Sequence, residues 1–250
     1  PVGAPPLRQV VVPTTLSGAE FSDLAGCVDP ARSLKQLFSA PLIGSAAVIY
    51  DPALTSFTPD WLWASTGIRA LDHAVESLCS TAPNAFTDAT AVGAIELLSS
   101  ALRATRDDPA DLDARTAAQQ GVWLACAGLN RIPWGASHGL GHQVGAVAGV
   151  PHGHCSCVLL PAVLRDHRPY TEAAQRRLAR ALGAPDDDPA DTLVGLIESL
   201  GLPTTLRDVG VTDDQLPLIA AKSLTNMFVR QNPRPLRTID DVLAILHRAF

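Results

Sequence analysis

Apolar positions follow two different periods along the chain, and the change comes near residue 58. The run Gln9–Pro13 (QVVVP) is β-branched and closed by proline, so it predicts a short buried strand. Residues 14–20 (TTLSGAE) follow as a hydroxyl-rich turn, and Ala46–Tyr50 (AAVIY) predicts a second strand ended by Asp51-Pro52. Thr58-Pro59-Asp60 then reads as a helix start, with Thr58 as N-cap and Pro59 at the first helical position. The helix it opens is expected to run through Trp61–Cys79 with Ile68, Leu71, Val75 and Leu78 as its apolar stripe. Helical spacing recurs around 85–105, 113–130, 138–148, 170–183, 190–200, 212–223 and 239–249, separated by Pro, Gly and Asp punctuation. The pattern therefore predicts a mainly α chain: a β-containing entry over 1–57 and an all-helical domain over 58–250.

Composition narrows the function classes. With 47% apolar and 18% charged residues, the 250-residue chain can bury a core and is no acidic disordered tail. A formal charge of −6 offers no basic face for nucleic acid. No apolar run is long enough to cross a bilayer, and Pro1–Arg8 has neither the basic start nor the apolar run of a secretory signal. Five cysteines, an odd number, fit thiols in a reducing cytoplasm better than a disulfide framework. A start at Pro-Val-Gly without an initiator methionine is expected of a fragment.

Four of the seven histidines fall between 138 and 154. His138 and His142 stand at i, i+4 and share a helix face, as do Arg69 and His73 upstream. Pro151-His152-Gly153 follows a glycine turn, so His152 can fold back toward His138. A zinc cluster of His152, His154, Cys155 and Cys157 is also conceivable, but Cys-x-Cys in an apolar run is poor tetrahedral geometry. Those two cysteines are better read as small core residues.

Taken in order, these motifs resemble the iron-type alcohol dehydrogenases, which share the dehydroquinate synthase-like fold, and maleylacetate reductases in particular. Residues 13–20 (PTTLSGAE) resemble the family's Pro-Thr-Thr loop against the dinucleotide. Residues 66–76 (TGIRALDHAVE) resemble the first metal-ligand helix, while 137–145 (SHGLGHQVG) and 151–153 (PHG) resemble the next two ligand segments. Residues 232–235 (NPRP) before a last helix are similar to maleylacetate reductases.

The resemblance implies that Thr14, Thr15, Leu16 and Ser17 contact NAD(P)H, with Lys35 as a further cofactor candidate after a family hairpin. It also implies a homodimer. Residues 1–57 would then be the last part of an α/β dinucleotide-binding domain. The family's Gly-Gly-Gly-Ser phosphate loop has no match, so residues 1–250 alone are expected to bind dinucleotide weakly.

One departure concerns the metal. Where metal-dependent members carry an aspartate ligand, this chain has Arg69, which offers no lone pair and repels cations. Asp72, taken to point about a hundred degrees round the helix from Arg69, is a doubtful substitute. No catalytic iron or zinc is therefore expected, as in maleylacetate reductases, which also lack the full metal set.

The implied activity is an NAD(P)H-dependent reductase of an unsaturated oxo-dicarboxylate (maleylacetate to 3-oxoadipate) in aromatic degradation. Arg69 would clamp a carboxylate, His73 and His138 would donate hydrogen bonds as protonated imidazoles, and His142 or His152 would supply a proton. Two alternatives stand beside it: a metal-dependent alcohol dehydrogenase with His73, His138 and His152 as ligands, and a non-catalytic helical partner or oligomerisation module. For Arg69 itself, the plainer alternative is an ion pair with Asp72, Glu76 or another acid.

Overall fold

The computed structural model describes residues 3–29, 31, 34–40 and 42–250. Strand β1 (Val10–Val11) pairs in parallel with β4 (Ala47–Val48), so the two short strands expected from the apolar runs lie side by side, but the first is not the buried strand expected: Val10 and Val12 are exposed. Between them the chain makes an antiparallel hairpin, β2 (Leu24–Asp29) with β3 (Leu34–Ser39), which sequence pattern does not reveal. Its strands lack a clean apolar alternation, and Leu24 and Phe38 are solvent-exposed.

Helix α1 (Pro52–Thr55) follows, capped by the Asp51 carboxylate on the Ala53 N–H at 3.0 Å. Helix α2 (Asp60–Leu78) begins one residue later than its sequence signals imply. Pro59 is its N-cap, and Thr58 instead donates its hydroxyl to the Thr14 carbonyl at 2.6 Å, tying the helix start to the strand-to-loop turn. The predicted stripe Ile68, Leu71, Val75 and Leu78 is buried. So is every other residue from Trp63 to Leu78, charged ones included, because α2 is the central helix. Helices α3 (Ala85–Asp107), α4 (Leu112–Ala125) and α6 (His152–Ala181) pack around it.

Helix α5 (Ala136–Ala148) lies against α6. The expected helix over 170–183 is only the end of α6, which starts at His152 and kinks at Thr171 (φ −130°, ψ 20°) two residues after Pro169. Its first half went unread because residues 155–164 are buried on all sides, which removes amphipathic periodicity. Helices α7 (Pro189–Ser199), α8 (Leu216–Ser223), α9 (Met227–Arg230) and α10 (Ile239–Ala249) complete the helical layer. A Thr238–Asp241 capping box opens α10.

The start of α6 approaches α2 so closely that a Cβ on Gly153 would lie 2.8 Å from the carbonyl carbon and oxygen of Ser65. Backbone cannot yield as a flexible side chain would. Gly153→Ala is therefore expected to cost about 1–3 kcal/mol and to displace the neighbouring His152. Denaturant unfolding of the variant checks the first effect; an unchanged midpoint would mean that α6 shifts freely.

Candidate active site

Three helices converge on one cavity of about 220 Å³. Helix α2 contributes Arg69 and His73, α5 contributes His138 and His142, and the first residue of α6 contributes His152. All five side chains singled out for catalysis line it, together with Trp134, Phe228, the Ser17–Ala19 turn and the hairpin residues Leu24 and Gly26. Among the described residues no carboxylate borders the cavity. Its wall is thus one guanidinium, four imidazoles and apolar or small groups.

The rings form two packed sets. His73 and His138 lie 4.8 Å apart between centroids, with Trp134 against both at 5.4 and 4.7 Å. His142 stacks on His152 at 5.5 Å with 17° between the planes. Trp134 and Phe228 carried no motif signal. Trp134 precedes α5 in a Pro-Trp-Gly turn, and Phe228 arrives from α9, over eighty residues beyond His142.

Behind the rings lies a buried acidic layer that sequence reasoning undervalued. Residues i and i+3 on a 3.6-residue helix are only about 60° apart, not a hundred, and Asp72 accordingly sits within 3.6 Å of the Arg69 guanidinium. The plainer alternative for Arg69 is therefore partly realised, although Arg69 still lines the cavity. Asp72 Oδ2 also accepts the hydroxyls of Ser137 and Ser156 at 2.9 and 2.7 Å.

Glu76 performs a capping function at a distance. Helix α5 has glycine at its N-cap and no side-chain cap of its own. Glu76 instead accepts the N–H groups of Gly135 and Ser137 at 3.1 and 2.7 Å, and Asn232 Oδ1 accepts that of Ala136 at 2.9 Å. These are the donors that a helix start leaves without intrahelical partners, and the helix dipole favours a carboxylate there. Glu76 Oε2 also stands 2.7 Å from His138 Nδ1. Burial pushes both the Asp72 and Glu76 carboxyls upward; repulsion by Glu76 adds to this at Asp72, while hydrogen bonds and Arg69 pull both down.

Burial, His138 and Arg69 together hold the His73 imidazole well below its usual range. The shift favours the neutral ring, which weighs against the expectation that His73 donates as an imidazolium and leaves it one N–H to donate. Asn226 orients His142: its Oδ1 caps the Phe228 N–H at 2.9 Å, so its Nδ2 faces His142 Nδ1 at 3.3 Å. Asn232 amide nitrogen donates to His167 Nε2 at 2.6 Å and to the Arg234 carbonyl, which locks the Asn-Pro-Arg-Pro loop beneath the site. Burial, with the Arg234 charge, pushes His167 down to about 3.

Of the four loop residues expected against the dinucleotide, Ser17 reaches the cavity. Leu16 does not: it is fully buried, packs into the core, and donates its N–H to Thr66 Oγ1 at 3.1 Å. An apolar side chain with a buried partner surface is driven inward whatever its neighbours bind. Thr14 supplies the carbonyl that holds Thr58, and Thr15 Oγ1 lies 3.2 Å from Ser17 Oγ. Gly18 adopts φ 70°, and a Cβ there would fall 2.3 Å from Cys126 Sγ, so the turn requires glycine. Lys35 falls within β3 rather than after the hairpin, and its side chain lies outside the described residues.

The donor chemistry bears on a metal. Among the described residues, the group whose donor atoms lie within 4.8 Å of one another is Asp72, Glu76 and His138, not His73, His138 and His152. The two carboxylates already accept two backbone N–H groups and two hydroxyls, and Arg69 lies 3.6 Å from one of them. A divalent cation there would lie beside the fixed positive charge of Arg69, which disfavours it, while Asp72 Oδ1, with no hydrogen bond from the described residues, keeps lone pairs that could ligate one.

The chain belongs to the Fe-containing alcohol dehydrogenase family, whose C-terminal region it matches over residues 63–250. It is 33% identical to a maleylacetate reductase of Burkholderia cepacia, over 96% of this chain and 66% of the relative. It is 29% identical to the lactaldehyde reductase of Escherichia coli K12, over 100% of this chain and 67% of that protein. Among solved structures, the maleylacetate reductase of Agrobacterium tumefaciens superposes with a TM-score of 0.87 at 29% identity, covering 97% of this chain and 67% of that one. The chain thus spans about two thirds of these relatives.

Proposed function

We propose that this chain forms the substrate-binding part of an NAD(P)H-dependent reductase of an unsaturated oxo-dicarboxylate, of the maleylacetate to 3-oxoadipate type. The observation that carries the reading is a cavity lined by Arg69 and four histidines with no carboxylate among the described residues. Such a wall favours an anionic substrate and developing negative charge. In this reading residues 1–57 belong to a dinucleotide-binding domain, of which the Ser17–Ala19 turn contributes one wall of the cavity.

A reduced nicotinamide supplies a hydride when bound. Hydride addition to the alkene carbon β to the ketone moves the double-bond electrons onto the ketone oxygen, giving an enolate; a proton then adds to the α carbon. Arg69 binds a substrate carboxylate. The His73 and His138 rings face the developing enolate, and neutral His73 donates with its one N–H. The stacked His142 and His152 pair supplies the proton.

A metal-dependent alcohol dehydrogenase is the second reading, favoured by the equally extensive similarity to lactaldehyde reductase and by the clustered Asp72, Glu76 and His138 donors. Metal analysis of the full-length protein, with NADH or NADPH oxidation followed on maleylacetate before and after chelation, separates the two. Substoichiometric iron and zinc with chelator-resistant maleylacetate reduction is the expected result. Stoichiometric metal with chelator-sensitive alcohol oxidation would establish the second reading instead.

A further inference from the structure

The contacts behind Arg69 form a closed triangle. Its Nη1 donates to Ser156 Oγ at 3.2 Å, Ser156 Oγ donates to Asp72 Oδ2 at 2.7 Å, and Asp72 Oδ2 lies 3.6 Å from the same Nη1. The three residues come from α2 and α6, and Ser137 on α5 joins them through the same oxygen.

Asp72 is fully buried, yet its second oxygen, Oδ1, accepts no hydrogen bond from the described residues. A carboxylate retained in that setting is costly unless a nearby positive charge compensates it; Arg69 is the permanently charged group at 3.6 Å, and His138 Nδ1 stands at the same distance from Asp72 Oδ2. The dependence is mutual. Burial disfavours the Arg69 charge, and Asp72 is the first of the groups that oppose the effect. One side of the guanidinium is engaged by this triangle while the residue as a whole lines the cavity.

We infer that Asp72, bridged by Ser156, is a positioning residue that holds the Arg69 guanidinium in its anion-binding orientation and so sets the preference for a dicarboxylate substrate. The inference rests on the reading that Arg69 binds a substrate carboxylate. Asp72 acts through Arg69 and touches no substrate. An acid whose charge is matched to one arginine has a different signature from one that merely supports the fold: its removal matters only while the arginine is present.

The test is a double-mutant cycle in the full-length protein, with maleylacetate as substrate and the reduced cofactor held saturating. Asp72→Asn is expected to raise KM about tenfold, a coupling of ordinary size for contacting residues, and to change kcat less. In an Arg69→Met background the same substitution is expected to add little. Ser156→Ala, which removes the bridge but keeps both charges, is expected to give a smaller KM increase of the same kind; it also serves if Asp72→Asn fails to fold.

Additive losses in the cycle, or no KM change for Asp72→Asn and Ser156→Ala while Arg69→Met raises KM, would overturn the inference and leave the reading of Arg69 intact. If Arg69→Met itself leaves KM unchanged, the anion-binding reading falls. Crystal structures of Asp72→Asn and Ser156→Ala then decide the positioning claim alone: a displaced guanidinium upholds it and an unmoved one refutes it.

Discussion

Arg69→Asp is expected to remove most activity toward an oxo-dicarboxylate. The substitution deletes a charge-assisted contact to the substrate and aims a carboxylate at it instead. Losing one partner of a buried charge pair costs about 2–5 kcal/mol, or roughly 30- to 4000-fold in kcat/KM. The loss should be smaller for an uncharged aldehyde of similar size, and steady-state kinetics on both substrates measure the difference. Equal losses on the two would mean that Arg69 only supports the pocket. The variant also places a third acid beside Asp72 and Glu76, with the compensating cation gone. Divalent metal should then raise its melting temperature more than that of the parent, because the repulsion it relieves is absent from the unfolded chain.

The largest stability effect is expected at Glu76. Glu76→Ala leaves the Gly135 and Ser137 N–H groups buried without an acceptor and takes away the carboxylate 2.7 Å from His138 Nδ1. A buried polar group left unsatisfied costs about 1–3 kcal/mol, and breaking a buried charged contact about 3–5 kcal/mol. These overlap rather than add, so a loss of about 3–5 kcal/mol is expected, close to 6–20 °C in Tm at about 2–4 °C per kcal/mol for a chain of this size. Glu76→Gln should fall between the two, since its amide oxygen can accept one N–H while its NH₂ meets the other donor. Thermal unfolding of both variants checks this. A drop of only a degree or two for Glu76→Ala would show that water or Asn232 caps α5 adequately without it.

Both predictions depend on contacts that helical patterning does not contain, whereas the Arg69/His73 and His138/His142 pairs facing the cavity were visible from patterning alone. The i, i+4 spacing of Arg69 with His73 and of His138 with His142 is a local property of an α-helix, so it places each pair on one face before any packing is known. The apolar stripe of α2 and the capping box of α10 are local in the same sense. Arg69 in place of a family carboxylate is likewise a fact about one position, and it carried the expectation of an anion-binding site.

What packing decided is what stands behind that face. Glu76 caps a helix start 59 residues away and Asn232 does so from 96 residues away, because a glycine N-cap left the donors of α5 to whichever acceptors the fold brought near. The Asp72 partners Ser137 and Ser156 lie 65 and 84 residues along the chain. The hairpin that adds Leu24 and Gly26 to the cavity has exposed apolar residues and no clean alternation, and the first half of α6 is buried all round, so neither carried a readable period. Leu16 sits in a loop that resembles a cofactor contact, but its side chain found more apolar surface in the core than at the cavity. Local rules determine which way a side chain leaves its own helix. Which acceptor or charge it then meets depends on desolvation and on neighbours remote in sequence, and that is settled only when the helices pack.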